Sequence, residues 1–199
     1  MRRNELKGGE ASTRPWWRGA VFYEIYIRSF ADSNDDGIGD LPGITSKLKY
    51  RKDLGVDAIW ITPFYPSPQK DHGYDVADYF DVNPEYGTMA DFSTLVKRAH
   101  QLGLKVLVDL VPNHTSDQHA WFKAALATPK NAYRSRYYFP DAKPDGPPPN
   151  NWESTFGAPA WTQDTANAQW YITPSRPYPP DPKPSNPPHP TRFASTGQL

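Results

Sequence analysis

An α/β fold built on a parallel sheet follows from three features of the sequence. Three apolar, strand-sized runs, at residues 21–30, 56–62 and 104–110, alternate with helical segments. The helical segment opening at Thr88-Met89-Ala90-Asp91 places Phe92, Leu95, Val96 and Ala99 at i, i+3, i+4 and i+7, one core-facing stripe. The third run, Leu104-Lys105-Val106-Leu107-Val108-Asp109-Leu110, ends in a polar cluster, Val111-Pro112-Asn113-His114. Chemistry in parallel α/β proteins gathers at that end of the strands. The order β-α-β-loop-α-β argues a parallel sheet with right-handed crossovers.

Each element has its own warrant. Residues 1–15 read as a disordered lead-in. The run from Val21 to Phe30 is aromatic and β-branched and is expected to be a buried strand. In Asp32-Ser33-Asn34-Asp35-Asp36-Gly37-Ile38-Gly39-Asp40, side-chain oxygens fall at positions 1, 3, 5 and 9, with glycine at 6. That is the spacing of a calcium loop. Asp32, Asn34, Asp36 and Asp40 would supply side-chain oxygens and Ile38 a carbonyl. The glutamate of an EF-hand is replaced at position 12 by Gly43, so the choice is between a single-ion loop and an acidic, solvated turn. Residues 42–54 are expected to form a short helix with Ile44, Leu48 and Leu54 toward the core. Pro63 closes the second strand, as a residue without an N–H should.

A long loop, residues 64–87, follows. Loops of that length inside compact domains are usually functional or disordered. It carries Asp71-His72-Gly73-Tyr74-Asp75-Val76-Ala77-Asp78-Tyr79. Carboxylates interleaved with tyrosines suit sugar hydroxyls and sugar rings; a polar surface loop is the alternative. Thr88 with Asp91 fits a capping box, and Gly103 ends the helix. Asp109, a carboxylate in a run of valine and leucine, needs partners from neighbouring backbone or an arginine. Residues 118–126 read as a short helix and residues 129–171 as loop-rich, together a loop-rich subdomain at residues 118–171 inserted after the third strand. Nine of the 28 residues from Ile172 to Leu199 are proline, which predicts an extended or disordered tail.

Composition excludes several classes. The 199 residues carry no net charge at neutral pH, which gives no basic face for nucleic acid or an acidic membrane. No cysteine means no disulfide framework and no thiolate metal site. No apolar run reaches membrane-spanning length, and the amino terminus lacks a signal-peptide core, so a cytoplasmic protein is expected. Seven tryptophans and twelve tyrosines suit a site that stacks sugars, or an aromatic core.

Five ordered blocks carry a family resemblance: WWRGAVFYEIYIRSF, ADSNDDGIGDLPGI, LGVDAIWITPFYPSP, DHGYDVADYFDVNPEYGT and LKVLVDLVPNHTSDQHAWF. With NNWESTFGAPAWT they cover roughly residues 16–171. The chain resembles the amino-terminal part of an α-amylase-family glycoside hydrolase, most of all the bacterial α-glucosidase and oligo-1,6-glucosidase branch. The resemblance implies a partial (β/α)8 TIM barrel, its first three strand units, with a subdomain inserted after strand three. It implies that Asp71 and Tyr74 line a glucose subsite, Asp71 bonding hydroxyls and Tyr74 stacking, with His114 on the same sugar. Asp109 would anchor its strand, Asn113 would support the loop, and residues 32–40 would hold one Ca2+.

Members of that family cleave α-glucosidic bonds with retention, through an aspartate nucleophile and a glutamate acid/base on later strands. No motif of those strands occurs here, so no catalytic residue is assigned and an α-glucoside oligosaccharide is the expected ligand. A complete barrel needs about 250 residues. A transglycosylating, trehalose synthase-like relative and a non-catalytic sugar-binding or misfolded product are the alternatives. The tail from Ile172 departs from the family, and the abrupt change predicts a reading-frame shift in the gene.

Overall fold

A computed structural model describes residues 15–140, 146–154 and 157–173. The lead-in up to residue 14 and the tail from residue 174 lie outside the described residues.

Three short strands form the predicted parallel sheet. They are β1 (Phe22–Ile25), β2 (Ala58–Ile61) and β3 (Lys105–Val108), in the order β1-β2-β3. Phe22, Ala58 and Lys105 align at one end of the register, and Ile25, Ile61 and Val108 at the other. Strand β1 is shorter than expected: after Tyr26 the chain turns into a single helical turn, α1 (Ile27–Phe30). The run from Val21 is therefore not one buried strand, and Phe22 stays 42% exposed.

Helices α2 (Leu41–Asp53) and α3 (Met89–Gln101) pack on one face of the sheet. Ile25, Ile27, Leu41, Ile44, Leu48, Ile59, Ile61, Leu95 and Leu104 are buried between the two layers. Leu54, expected to face the core, is exposed, because the chain has left the helix at that residue. The start of α2 explains the glycine at loop position 12. Gly43 lies in the first turn of α2, where an added Cβ would come within 2.0 Å of the Ala31 carbonyl oxygen. No glutamate fits there.

The predicted capping box of α3 is present. The Thr88 hydroxyl accepts from the Asp91 amide at 3.2 Å, and the Asp91 carboxylate accepts from the Thr88 amide at 2.8 Å. Phe92, Leu95 and Ala99 are buried along the expected stripe, and Val96 is partly buried beside them. Gly103 takes the left-handed conformation that ends the helix, with φ at 71°.

Beyond β3 a second unit forms. It holds α4 (Ala120–Ala127), a 3-10 turn (Ala132–Arg136) and an antiparallel hairpin of β4 (Trp161–Asp164) and β5 (Gln169–Ile172). The stretch expected to be irregular thus contains a paired hairpin. Ile172, placed by the sequence at the head of the tail, is the last residue of β5 and pairs with Trp161. Phe122, Ala125 and Tyr137 form this unit's own core. Arg134 ties it together. Its guanidinium donates to Asp164 Oδ2 at 2.9 Å and to the Ala125 carbonyl at 2.7 Å, bonds Gln169, and lies 3.7 Å from the centre of the Phe139 ring. Both charged partners are buried, so removing one would leave the other bare, a cost of about 3–5 kcal/mol. Among the described residues no helix is long and apolar enough to cross a membrane.

The capping box supplies a direct check. Thr88→Ala removes the side-chain acceptor for the Asp91 amide and should lower the unfolding free energy by about 1 kcal/mol in a urea titration. Ser at this position should retain most of it.

Candidate functional site

The carboxyl ends of β2 and β3 feed two loops that are joined chiefly by tyrosine hydroxyls. The loop after β2 supplies Tyr65, Tyr74 and Tyr79; the loop after β3 supplies acceptors. Tyr65 donates to the Asp109 carbonyl at 2.8 Å. Tyr74 donates to Asp109 Oδ2 at 3.0 Å. Tyr79 Oη lies 2.7 Å from the Val111 carbonyl oxygen and 2.6 Å from that of His114, and its one proton serves the two. The Lys70 ammonium meets Asp117 at 2.9 Å, and the Ser116 amide donates to the Val76 carbonyl at 2.8 Å.

Asp109 lies one residue beyond β3, and its carboxylate partner is a tyrosine from the other loop rather than an arginine. Sequence spacing gives no sign of that pairing, since the two residues are 35 apart. His114 Nε2 lies 3.0 Å from the Tyr74 carbonyl. A carbonyl only accepts, so Nε2 carries the proton. Tyr74 is therefore held at both its hydroxyl and its backbone, and Asp109, Tyr74 and His114 form one connected group.

Asp71 stands beside this group, half-buried. Burial and then the Asp75 charge raise its proton affinity above the ordinary carboxylate range, while His114 and His72 pull it back. Burial and the bond to Asp109 push the Tyr74 hydroxyl up to about 12, and burial with the Asp109 charge does the same to Tyr65. Both phenols stay protonated as donors at neutral pH. Burial lowers the proton affinity of His114. Asn113 is exposed on the loop just ahead of His114.

The loop holding Asp71 is strained. Gln69, His72 and Gly73 all have positive φ, at 58°, 51° and 99°. Gly73 is required, because an added Cβ would lie 2.5 Å from the Pro63 carbonyl oxygen. The Tyr26 hydroxyl meets His72 Nδ1 at 3.3 Å, and Tyr86 donates to Gln69 at 3.1 Å. Such strain concentrates at sites where the surroundings over-determine the backbone. Tyr79 belongs to the interleaved motif, but Tyr65, Ser67 and Lys70 carry no mark in the sequence: Tyr65 and Lys70 find their partners on the distant loop after β3, and Ser67 finds its own in Asp75 eight residues on.

The acidic loop lies elsewhere, between α1 and α2. Asp32 accepts from the amides of Asn34, Asp35 and Gly37, the last at 2.7 Å, and that bond holds its carboxyl below the usual range. Asn34 Oδ1 accepts from the Asp36 amide, and Asp36 Oδ1 from the Ile38 amide. Asp32 Oδ1 takes two amides, whereas Asp32 Oδ2, Asn34 Oδ1 and Asp36 Oδ1 take one each and keep a lone pair; all three side chains are exposed. Asp40 differs. It is buried, caps α2 through the Gly43 amide at 2.6 Å, and accepts from Ser33. Among the described residues no group of three or more His, Asp or Glu side chains is gathered as for a metal ion. The donors expected for a cation are Asp32, Asn34, Asp36, Asp40 and the Ile38 carbonyl; Asp40 Oδ1 caps the helix while its Oδ2 reaches back to Ser33 in the loop.

His119 joins the two units. Its Nδ1 accepts from the Trp121 amide at 3.1 Å, capping α4, and its ring packs against Tyr79 and Trp121 at 5.7 and 4.7 Å between centroids.

A parallel sheet with polar loops converging at its carboxyl end, and an inserted unit after the third strand, define a catalytic domain of the TIM-barrel type in part. The chain belongs to the alpha-amylase family: the model of its catalytic domain matches residues 24–187, past the Tyr171 at which the sequence resemblance was drawn. A probable alpha-glucosidase of Rhizobium meliloti is 55% identical over 80% of this chain and 29% of its own length. An oligo-1,6-glucosidase of Heyndrickxia coagulans is 52% identical over 79% of this chain and 28% of its own. A mutant of the trehalulose synthase MutB, solved with the substrate sucrose, superposes with a TM-score of 0.86 at 45% identity, over 94% of this chain and 34% of that one. The chain thus corresponds to the amino-terminal part of these proteins and spans under a third of the curated relatives it matches.

Burial depresses the His119 imidazole to about 4, with Asp78 raising it slightly and Arg136 lowering it. The unfolded imidazole takes its proton near pH 6.5, so between those values the unfolded state holds the extra proton. Stability should be full above pH 6.5 and fall on acidification, by about 2 kcal/mol at pH 5 from this group. His114 acts in the same direction. Asp71 opposes them, since a raised carboxyl binds its proton in the fold first. His119→Asn keeps a capping acceptor without the titration, and thermal melts from pH 7 to pH 5 should be flatter for it than for the parent chain.

Proposed function

We propose that this chain carries the glucose-holding part of a retaining α-glucosidase acting on α-glucosidic bonds of maltose and isomalto-oligosaccharides. The observation that carries the reading is the connected group of Asp109, Tyr74 and His114 with Asp71 beside it. The group is rigid, because Tyr74 is bonded through both hydroxyl and backbone. Asp71 offers carboxylate oxygens to sugar hydroxyls, and Tyr74 offers an aromatic face to the ring. His114 lends a half-buried imidazole to the same sugar, Asp109 anchors Tyr74, and Asn113 supports the loop.

The displacement itself is a different task. Retention needs two carboxyl groups about 5–5.5 Å apart across the scissile bond. Asp109 is tied to Tyr74, Asp75 is buried, and Asp71 faces two histidines, so none is free to serve as nucleophile or acid. This region binds; the bond-breaking carboxylates belong to other parts of a whole enzyme. A transglycosylating reading is favoured by the likeness to the sucrose-bound trehalulose synthase mutant. Binding groups at a glucose subsite serve both reactions alike, since transfer and hydrolysis differ in the acceptor. A cytoplasmic location and an α-glucoside oligosaccharide partner accompany either.

Maltose should raise the melting temperature of the 199-residue chain, and at a hundred times its Kd the gain in unfolding free energy should be about 2.7 kcal/mol. Asp71→Ala should weaken maltose binding at least tenfold in calorimetry, while turnover of maltose stays undetectable for both proteins. Equal binding by the two would remove Asp71 from the site.

The loop at residues 32–40 is proposed to hold one calcium ion through Asp32, Asn34, Asp36, Asp40 and the Ile38 carbonyl, with Asp40 also capping α2. A chelator should lower the melting temperature, and Asp36→Ala should remove that response. An identical melt with and without chelator leaves the acidic-turn reading.

A further inference from the structure

Among the carboxylates of the long loop, Asp75 has the least access to solvent and the most backbone partners. It is 1% exposed. Its Oδ1 accepts from the Ser67 hydroxyl at 2.6 Å and from the Asp71 amide at 3.2 Å; its Oδ2 accepts from the Lys70 amide at 3.0 Å. Ser67 in turn accepts from the Gln69 amide at 2.9 Å. One side chain therefore holds Ser67, Lys70 and Asp71 directly and Gln69 through Ser67, and Gln69 has a left-handed backbone. A left-handed non-glycine residue persists only where its surroundings over-determine it. Here the surroundings are the Ser67 hydroxyl, itself held by Asp75, and the Tyr86 hydroxyl on Gln69.

We propose that Asp75 is a positioning residue: its buried carboxylate folds the turn from Ser67 to Asp71 and so fixes where Asp71 stands in the sugar site. The inference rests on the reading of Asp71 as a sugar ligand. Val76 and Tyr79, which follow Asp75, are buried with Val111 in a small apolar cluster. That cluster fixes the Asp75 backbone against the loop after β3, so the carboxylate reaches the turn from a stationary base. Charges are arranged in series as well. Asp75 is the inner carboxylate, bonded and dry; Asp71 is the outer one, half-buried, facing His114 and His72. The inner charge makes the outer group hold its proton more tightly, and the histidines counter it.

Asp75→Asn tests this in the 199-residue chain. Asparagine keeps one acceptor oxygen, turns an NH2 toward a backbone donor and removes the charge. Hydrogen exchange followed by NMR should show the Lys70 and Asp71 amides exchanging at least tenfold faster, with β2 and α3 retaining their protection. The Asp71 carboxyl, followed by carbon NMR, should titrate at lower pH than in the parent, and maltose should bind at least tenfold more weakly. A merely structural role would speed exchange across β2, α3 and the loop together, or leave the Asp71 titration in place; either result overturns the proposal. If the parent chain itself binds no maltose, the sugar reading fails, while the amide and Asp71 measurements still decide the role of Asp75. Should Asp75→Asn not fold, Ser67→Ala decides. It keeps the Asp75 charge and should loosen the Gln69 and Asp71 amides while the Asp71 titration stays at its parent value; unchanged exchange at both amides overturns the proposal.

Discussion

The bond from the Tyr74 hydroxyl to the Asp109 carboxylate is the constraint on which the site depends. A carboxylate at the end of an apolar strand is costly unless it is partnered. The partner comes from the other loop, so satisfying Asp109 also docks that loop on the end of β3. Once Tyr74 is docked, its carbonyl lies in reach of His114, and His114 is fixed in turn. Tyr65 and Tyr79 repeat the device on the Asp109, Val111 and His114 carbonyls. Buried or half-buried, these phenols are held far from ionisation and remain donors. Each bond contributes little net stability alone, about 1 kcal/mol, but leaving one unmade would strand a desolvated group.

The same economy governs the acidic loop. Asp40 serves helix and loop together: it caps α2 at Gly43 and draws in Ser33 across seven residues. Gly43 is fixed by the closeness of the Ala31 carbonyl, not by ligand chemistry. Loop and helix are therefore one construction, with residues 32–37 of the loop exposed to solvent.

Much of this was legible in the sequence where the physics is local. The stripe Phe92, Leu95 and Ala99, the Thr88 and Asp91 box and the Gly103 terminator all act within a few residues, and all appear in the structure. The β-α-β order carried the parallel sheet. The failures are non-local or sit at boundaries. The run after Val21 looks like one strand because aromatic and β-branched residues continue through Phe30, yet Ile27 is buried in a helical turn instead. The β4–β5 hairpin was hidden among prolines and glycines, because its pairing depends on Arg134 clamping Asp164 and Gln169 from the far side. Asp109, His114 and the loop of Asp71 and Tyr74 stand out from the residues alone, while their sugar roles come from the family resemblance. The bonds of Tyr74 to Asp109 and His114 span 35 and 40 residues, and no spacing rule reaches that far.

The sheet shows what the loop site does and does not rest on. Its residues alternate between faces: Ile25, Ile59 and Ile61 meet α2 and α3, while Glu24, Trp60 and Leu107 align in register on the other face. Parallel sheets gain stability by covering both faces. Here one face carries the helices, and Phe22, Tyr26, Val108 and Leu110 remain exposed along the outer strands and their ends. The loops at the carboxyl end do not depend on that second layer. Their tyrosine bonds, the Asp75 turn and the Lys70–Asp117 pair are made between β2 and β3 units alone. The loop site proposed to hold glucose is thus organised by two neighbouring strand units, in a chain that spans under a third of the curated relatives it matches.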